Sequence, residues 1–190
     1  MFERVTLRAT DVAASTRFYD TVLATLGVER AGEDPVWADF ALEPGEPPTR
    51  RLHIGFSAPT REHADAFWEA GLAAGAPDDG APGPRPVYGP DYYGAFLLDP
   101  DGNSAEAVHH DTVETPSIDH LWIRVADVAA ARATYLRIGG TAGFELRDDT
   151  PERVQFARPE GAGSFSFVAG DAPTERFRMA FPGGTVAEID

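Results

Sequence analysis

The chain contains no cysteine. Disulfides, thiolate metal sites and cysteine nucleophiles are therefore excluded. It also lacks any apolar run near the roughly 18 residues that a membrane span requires. Its first residues, Met1-Phe2-Glu3-Arg4, do not show the charged-then-apolar order of a secretory signal. Those two absences give the expectation of a cytoplasmic protein without membrane contact. Basic residues are scarce, 16 against 31 acidic ones, for a formal charge of -15. A nucleic-acid partner would need a basic face, so that class is excluded. The same charge would favour a cationic ligand, although general solubility accounts for it as simply.

What is present is ordinary in amount. The 190 residues are 43% hydrophobic and 25% charged, enough for one large or two small domains with cores of their own. The chain resembles itself. Val5-Thr6-Leu7-Arg8-Ala9-Thr10-Asp11-Val12-Ala13-Ala14 returns as Leu121-Trp122-Ile123-Arg124-Val125-Ala126-Asp127-Val128-Ala129-Ala130. His53-Ile54-Gly55-Phe56-Ser57-Ala58-Pro59-Thr60 returns as Arg178-Met179-Ala180-Phe181-Pro182-Gly183-Gly184-Thr185. A repeated strand–helix–strands unit follows, with a last copy that stops early.

Each copy carries the same local signals. Phe2 to Ala9 alternates, with Val5, Leu7 and Ala9 on one face and Arg4, Thr6 and Arg8 on the other. Asp11 is placed to cap a helix running to about Leu26, with an apolar stripe of Val12, Phe18, Tyr19, Val22 and Leu23. Short strands are expected near 28–30 and 37–43, then at 52–57. A second helix opens at Pro59-Thr60, and a Gly/Pro-rich loop covers 76–90. Strands at 92–98 and 104–109 flank the turn Asp99-Pro100-Asp101-Gly102. The third copy repeats the plan, with strand 118–125, helix 128–138 and strands near 143–147, 153–157, 164–168 and 177–181. A further helix is barely begun at the chain end. The fold class is α+β.

A tandem of such βαβββ units resembles the vicinal oxygen chelate superfamily, which includes glyoxalase I, extradiol dioxygenases and bleomycin-resistance proteins. The match is carried by the opening strand with its capped helix and Phe18-Tyr19, by His53-Ile54-Gly55-Phe56, and by the run from Tyr92 to Glu106 containing Asp99-Pro100-Asp101-Gly102-Asn103. The resemblance implies curved mixed sheets that form a cup with helices packed outside. It implies residues 1–110 as a complete two-unit domain, a linker at 111–116, and 117–190 as a truncated second domain. It also implies a small-molecule ligand in the cup, often on a divalent metal such as Fe, Mn, Zn or Ni.

Carried over residue by residue, the metal positions are His53, Glu106 and Arg4. Glu106 doubles as a candidate base, and His53 as a candidate catalytic residue. Strand parity agrees, since His53 and Glu106 lie opposite the apolar packing faces of their strands. Arg4 breaks the pattern, because a guanidinium has no lone pair for a metal. It would instead pair with Glu106 or hold an anionic group. Thr6, Trp37, Tyr92 and Tyr93 are further candidates for substrate contact, with Trp37 and Trp122 equally readable as core aromatics. His110 lies four residues beyond Glu106, roughly 13 Å along a strand, too far to share its ion. His63 and His109 read as structural. His120 aligns with Arg4, but Arg178 then aligns with His53 and no counterpart of Glu106 follows, so the second copy reads as scaffold. The lone third unit would seek the first domain or its own copy in a second chain, and a homodimer is expected. Two function classes stay open: a metal-dependent lyase, isomerase or dioxygenase type of enzyme, and a metal-free protein that sequesters a small molecule. A domain kept only for assembly is the third.

Overall fold

The computed structural model describes residues 1–110, 118–160 and 163–189. The expected linker at 111–116 lies outside the described residues.

The first unit is β1 (Arg4–Ala9), α1 (Val12–Ala24), β2 (Val36–Trp37) and β3 (Phe40–Pro44). The second is β4 (His53–Ser57), α2 (Arg61–Ala73), β5 (Asp78–Pro84), β6 (Tyr93–Leu98) and β7 (Ser104–His109). The third is β8 (Ile118–Val125), α3 (Val128–Ala142), β9 (Glu145–Asp149), β10 (Arg153–Ala157) and β11 (Ser164–Ala169). The chain closes on a hairpin of β12 (Phe177–Phe181) and β13 (Thr185–Ile189). The repeat is visible in the caps. Asp11 accepts the backbone N–H of Ala14 at 2.9 Å, and Asp127 that of Ala130 at 2.8 Å. Each carboxylate satisfies an orphan donor of its helix.

The sheets do not follow the order of units along the chain. β4 of the second unit lies antiparallel to β8 of the third, giving an eight-stranded sheet in the order β5-β6-β7-β4-β8-β11-β10-β9. The first unit pairs through β1 with β12, giving a five-stranded sheet β13-β12-β1-β3-β2. The third unit thus finds its partner in β4 of its own chain. Both sheets are curved, open and mixed, and the cup is the concave face of the larger one.

Three segments depart from the sequence-based expectation, the first being residues 28–30, which form no strand between α1 and β2. The stretch expected as a loop at 76–90 contains β5, an edge strand. It tolerates Pro82 and Pro84 because its outer side has no ladder to feed, and its pairing slips at Gly80 and Gly83. The helix expected to begin near Thr185 is instead β13. Gly183 and Gly184 both take left-handed backbone angles, at φ of +84° and +80°. That tight reversal sends Val186 and Ile189 back along β12.

One apolar core runs between sheets and helices. Tyr19, Trp37, Phe40 and Phe56 cluster in it, as do Phe144, Phe156, Phe165 and Phe181.

Candidate metal centre

The turn Asp99-Pro100-Asp101-Gly102-Asn103 sets the register of the cup. Asp99 accepts the backbone N–H groups of Asp101 and Asn103 and the hydroxyl of Tyr19. Asn103 Oδ1 accepts the N–H of Leu52, and its amide donates to the carbonyl of Thr49. These bonds fasten the start of β7 to the start of β4. His53 then stands beside Ser104, and Gly55 beside Glu106. On the other side of β4, Gly55 stands opposite His120 of β8.

The result is a cluster of His53, Glu106 and His120, whose ligating atoms all lie within 4.8 Å of one another. The Nε2 atoms of His53 and His120 are 3.1 Å apart. Oε2 of Glu106 is 2.9 Å from the first and 3.2 Å from the second. Two glycines make the room. A Cβ on Gly55 would sit 2.4 Å from Cε1 of His120, and a Cβ on Gly94 would sit 2.4 Å from Oε1 of Glu106.

The surrounding bonds fix which ring nitrogens are bare. Ser104 gives its single hydroxyl proton to Asp79 at 2.6 Å, so it accepts from Nδ1–H of His53 at 3.1 Å. Asp119 accepts from Nδ1–H of His120 at 2.8 Å. Both imidazoles therefore turn an Nε2 lone pair toward the other and toward a carboxylate. Three electron-rich atoms in contact, 1% to 18% exposed, demand a cation between them. Where that cation is a proton, it rests on His120. Burial opposes this, but the hydrogen bonds of Asp119 and Glu106 prevail and lift His120 to about 10. Burial likewise works against the charge on Glu106, yet His120 and His53 bring it down to about 2.

A polar shell holds the cluster. Tyr92 donates its hydroxyl to Oε1 of Glu106 at 2.8 Å, leaving Oε2 for the two histidines. Burial and the adjacent Glu106 carboxylate push the Tyr92 phenol far above its usual range, so it stays a donor. Asp119 also takes a hydrogen bond from His110 at 2.7 Å, which raises His110. His110 thus lines the cavity one residue removed from the cluster.

The expected residues divide between the two sheets. His53, Glu106 and Tyr92 meet in the cup. Arg4 and Thr6 lie on β1 in the five-stranded sheet, paired with Ala180 and Arg178. The expected bridge from Arg4 to Glu106 is therefore not formed, and the side chain that joins His53 and Glu106 is His120. The five-stranded sheet shows why it carries no copy of the site. The repeat maps His120 onto Arg4, His53 onto Arg178 and Ser166 onto Ala41, and among the described residues β12 has no parallel partner that would carry a counterpart of Glu106. Arg178 there forms a cross-strand ion pair with Glu43.

Trp37 is fully buried and donates its indole N–H to Asp20 at 3.0 Å, so it serves the core. Tyr93 turns away to Asp65 at 2.7 Å. His63 bonds Thr60, and His109 bonds the carbonyl of Ala58. His120, Asp119 and His110 were not legible as site residues from single positions. The alignment of His120 with the opening strand was the available signal, and it led to the site once β8 was placed beside β4.

The pairing of β4 with β8 is a local two-fold. His53 faces Trp122 and Gly55 faces His120. Under that symmetry Glu106, which pairs with Gly55, corresponds to Ser166, which pairs with Trp122. Ser166 is 1% exposed and its hydroxyl has no hydrogen-bond partner. The position for a second carboxylate is thus held by a short side chain. Above the cluster lies a cavity of about 1040 Å³, lined also by Tyr88, Phe96, Trp122, Arg124 and Arg153.

The Glyoxalase/Bleomycin resistance protein/Dioxygenase superfamily pattern matches residues 2–107. Among curated proteins none matches the chain. Among solved structures, a glyoxalase/bleomycin resistance protein from Albidiferax ferrireducens is 31% identical over 55% of this chain and 94% of its own, with a TM-score of 0.45. Glyoxalase I from Zea mays is 15% identical over 93% of this chain and 72% of its own, with a TM-score of 0.60. A putative dioxygenase from Bacillus subtilis is 17% identical over 96% and 67%, with a TM-score of 0.55. At such identities the last two are likenesses of fold.

Proposed function

The chain belongs to the Glyoxalase/Bleomycin resistance protein/Dioxygenase superfamily, and from that premise we propose that it is a metal-dependent enzyme acting on a small oxygenated molecule in the cup. His53, Glu106 and His120 would hold one divalent cation. The observation that carries this reading is the pair of bare Nε2 atoms converging with a carboxylate oxygen. With each Nδ1–H taken by Ser104 or Asp119, the one place left between the rings is for a cation, a metal ion or the proton that His120 otherwise holds.

Two imidazoles and one carboxylate are the donor set of open Fe(II) or Mn(II) sites, which leave positions for substrate. Ser166 supports the open reading, because it is too short to supply a fourth protein ligand from the symmetric position. When bound, such an ion supplies Lewis-acid polarisation of a substrate oxygen. The chain's own residues do the rest. Tyr92 holds Glu106 in place, Asp119 fixes the tautomer of His120, and Ser104 fixes that of His53. His110, anchored by Asp119, reaches the cavity wall where a substrate proton could be taken or returned. A bridge from Arg4 to Glu106 would favour the metal-free alternative, and Arg4 stands in the other sheet.

Elemental mass spectrometry on protein purified without chelator tests the reading. About one ion per chain is expected, lost in His120→Ala and in His53→Ala. A protein that takes up none of Fe²⁺, Mn²⁺, Zn²⁺ or Ni²⁺ overturns it.

A further inference from the structure

On the cup face of β8, His120, Trp122 and Arg124 follow one another at two-residue intervals. Each step is roughly 6.6 Å along the strand. The strand therefore lays out a cation-ligand residue, a flat ring and a guanidinium in line. A second guanidinium joins the far end. Val168 of β11 stands in register with Arg124 on one side and with Arg153 of β10 on the other. The two arginines share that face and both line the cavity.

Their surroundings leave charge to spare. Arg153 is paired with Asp148, which uses one edge of its fork. Arg124 gives a single N–H to the carbonyl of Arg51 at 3.2 Å and forms no ion pair among the described residues. The acids of the cavity lie elsewhere. Glu106 and Asp119 belong to the histidine cluster, and Asp79 is held by Ser104. Asp91 sits in the segment before β6. Between the two ends, Trp122 is held with Arg153 5.8 Å above its ring and Tyr88 at 6.0 Å edge-to-face.

We propose that this end of the cup is an anion subsite, and that the substrate is a small molecule with a flat body and a carboxylate at the end away from the histidine cluster. The inference rests on the reading of the histidine cluster as a metal centre. A carboxylate suits the planar fork of arginine, which can meet both oxygens at once. Trp122 and Tyr88 give the flat body a face to lie against. The overall charge of -15 would by itself turn such an anion away, so the two guanidiniums mark the one wall where it can settle.

The test is calorimetric titration of Mn²⁺-loaded protein with two matched pairs: catechol against 3,4-dihydroxybenzoate, and hydroxyacetone against hydroxypyruvate. The carboxylated member of at least one pair is expected to bind about tenfold tighter or better. In Arg124→Ala that ratio should fall to near one, and in Arg153→Ala part of the way. Circular dichroism and metal content of both variants should match the parent. A ratio near one in the parent, or binding of neither member by metal-loaded protein, overturns the inference and leaves the metal reading standing. So does a ratio that survives Arg124→Ala. Protein that takes up no metal and binds neither member overturns both.

Discussion

At the scale of single residues, the cup depends on atoms that are absent as much as on those that are there. Gly55 lies under the ring of His120, and Gly94 beside the carboxylate of Glu106. An added methyl at Gly55 would stand 2.4 Å from Cε1 and 2.6 Å from Nδ1 of His120, so the ring must swing off its line to His53. Gly55→Ala is therefore expected to keep its circular dichroism spectrum but lose most of its metal, read by elemental analysis. Full metal occupancy in that variant would mean His120 is not a ligand. Asp119→Asn probes the same ring from its other side. The amide can still accept from Nδ1–H, but it no longer balances the charge of a cation on Nε2. Metal affinity should drop about 10- to 100-fold, measured by competition with a chelating dye. His53 and Glu106 were legible in the sequence because the family resemblance implied their positions and strand parity agreed with it. Neither glycine was, because close approach of a ring to a backbone is a property of pairing across strands.

At the scale of elements, the turn between β6 and β7 is the device that fixes register. Asn103 satisfies the N–H of Leu52 and the carbonyl of Thr49 at once, and is 1% exposed. Asn103→Ala leaves both groups buried and unpaired, at about 1–3 kcal/mol each. A loss of about 2–5 kcal/mol is expected in urea unfolding, and a change within 0.5 kcal/mol would show that the turn does not hold β7 to β4. The turn was readable from Asp99-Pro100-Asp101-Gly102-Asn103 alone, because its chemistry is local. β5 and β13 were not. Prolines and glycines mark breaks in a sequence, yet at a sheet edge or a tight reversal they are compatible with strand. The partner strand decides, and it lies far along the chain. The local two-fold of β4 and β8 carries a further expectation. Ser166→Glu places a carboxylate where symmetry puts the counterpart of Glu106. That variant should hold its metal more tightly than the parent and lose affinity for chelating ligands, since a protein oxygen now fills a position otherwise open to them. Unchanged metal and ligand affinity would show that Ser166 does not face the ion.

At the scale of the whole molecule, the repeat was plain in the sequence, but the order in which its copies pair was not. Nothing local distinguishes a first strand that will meet the next unit from one that will meet the last. The choice is made by the core. Phe181 of β12 packs on Phe144 at 5.0 Å and on Phe165 at 5.7 Å, both from the third unit, and on Phe2 at 5.8 Å from the start of the chain. The same aromatic group therefore ties the five-stranded sheet to the eight-stranded one. The two sheets should unfold together. Phe181→Ala removes a fully buried ring from that junction, at about 3–5 kcal/mol, although it lies in the sheet without the histidine cluster. If the sheets share one cooperative core, this variant lowers the midpoint for far-ultraviolet dichroism and for metal release by the same amount, in one transition. Metal release that keeps the parent's midpoint while part of the dichroism signal is lost earlier would show two independent cores. In that case the cup would need only β4 to β11, and the smaller sheet would be a separate body that the repeat left beside it.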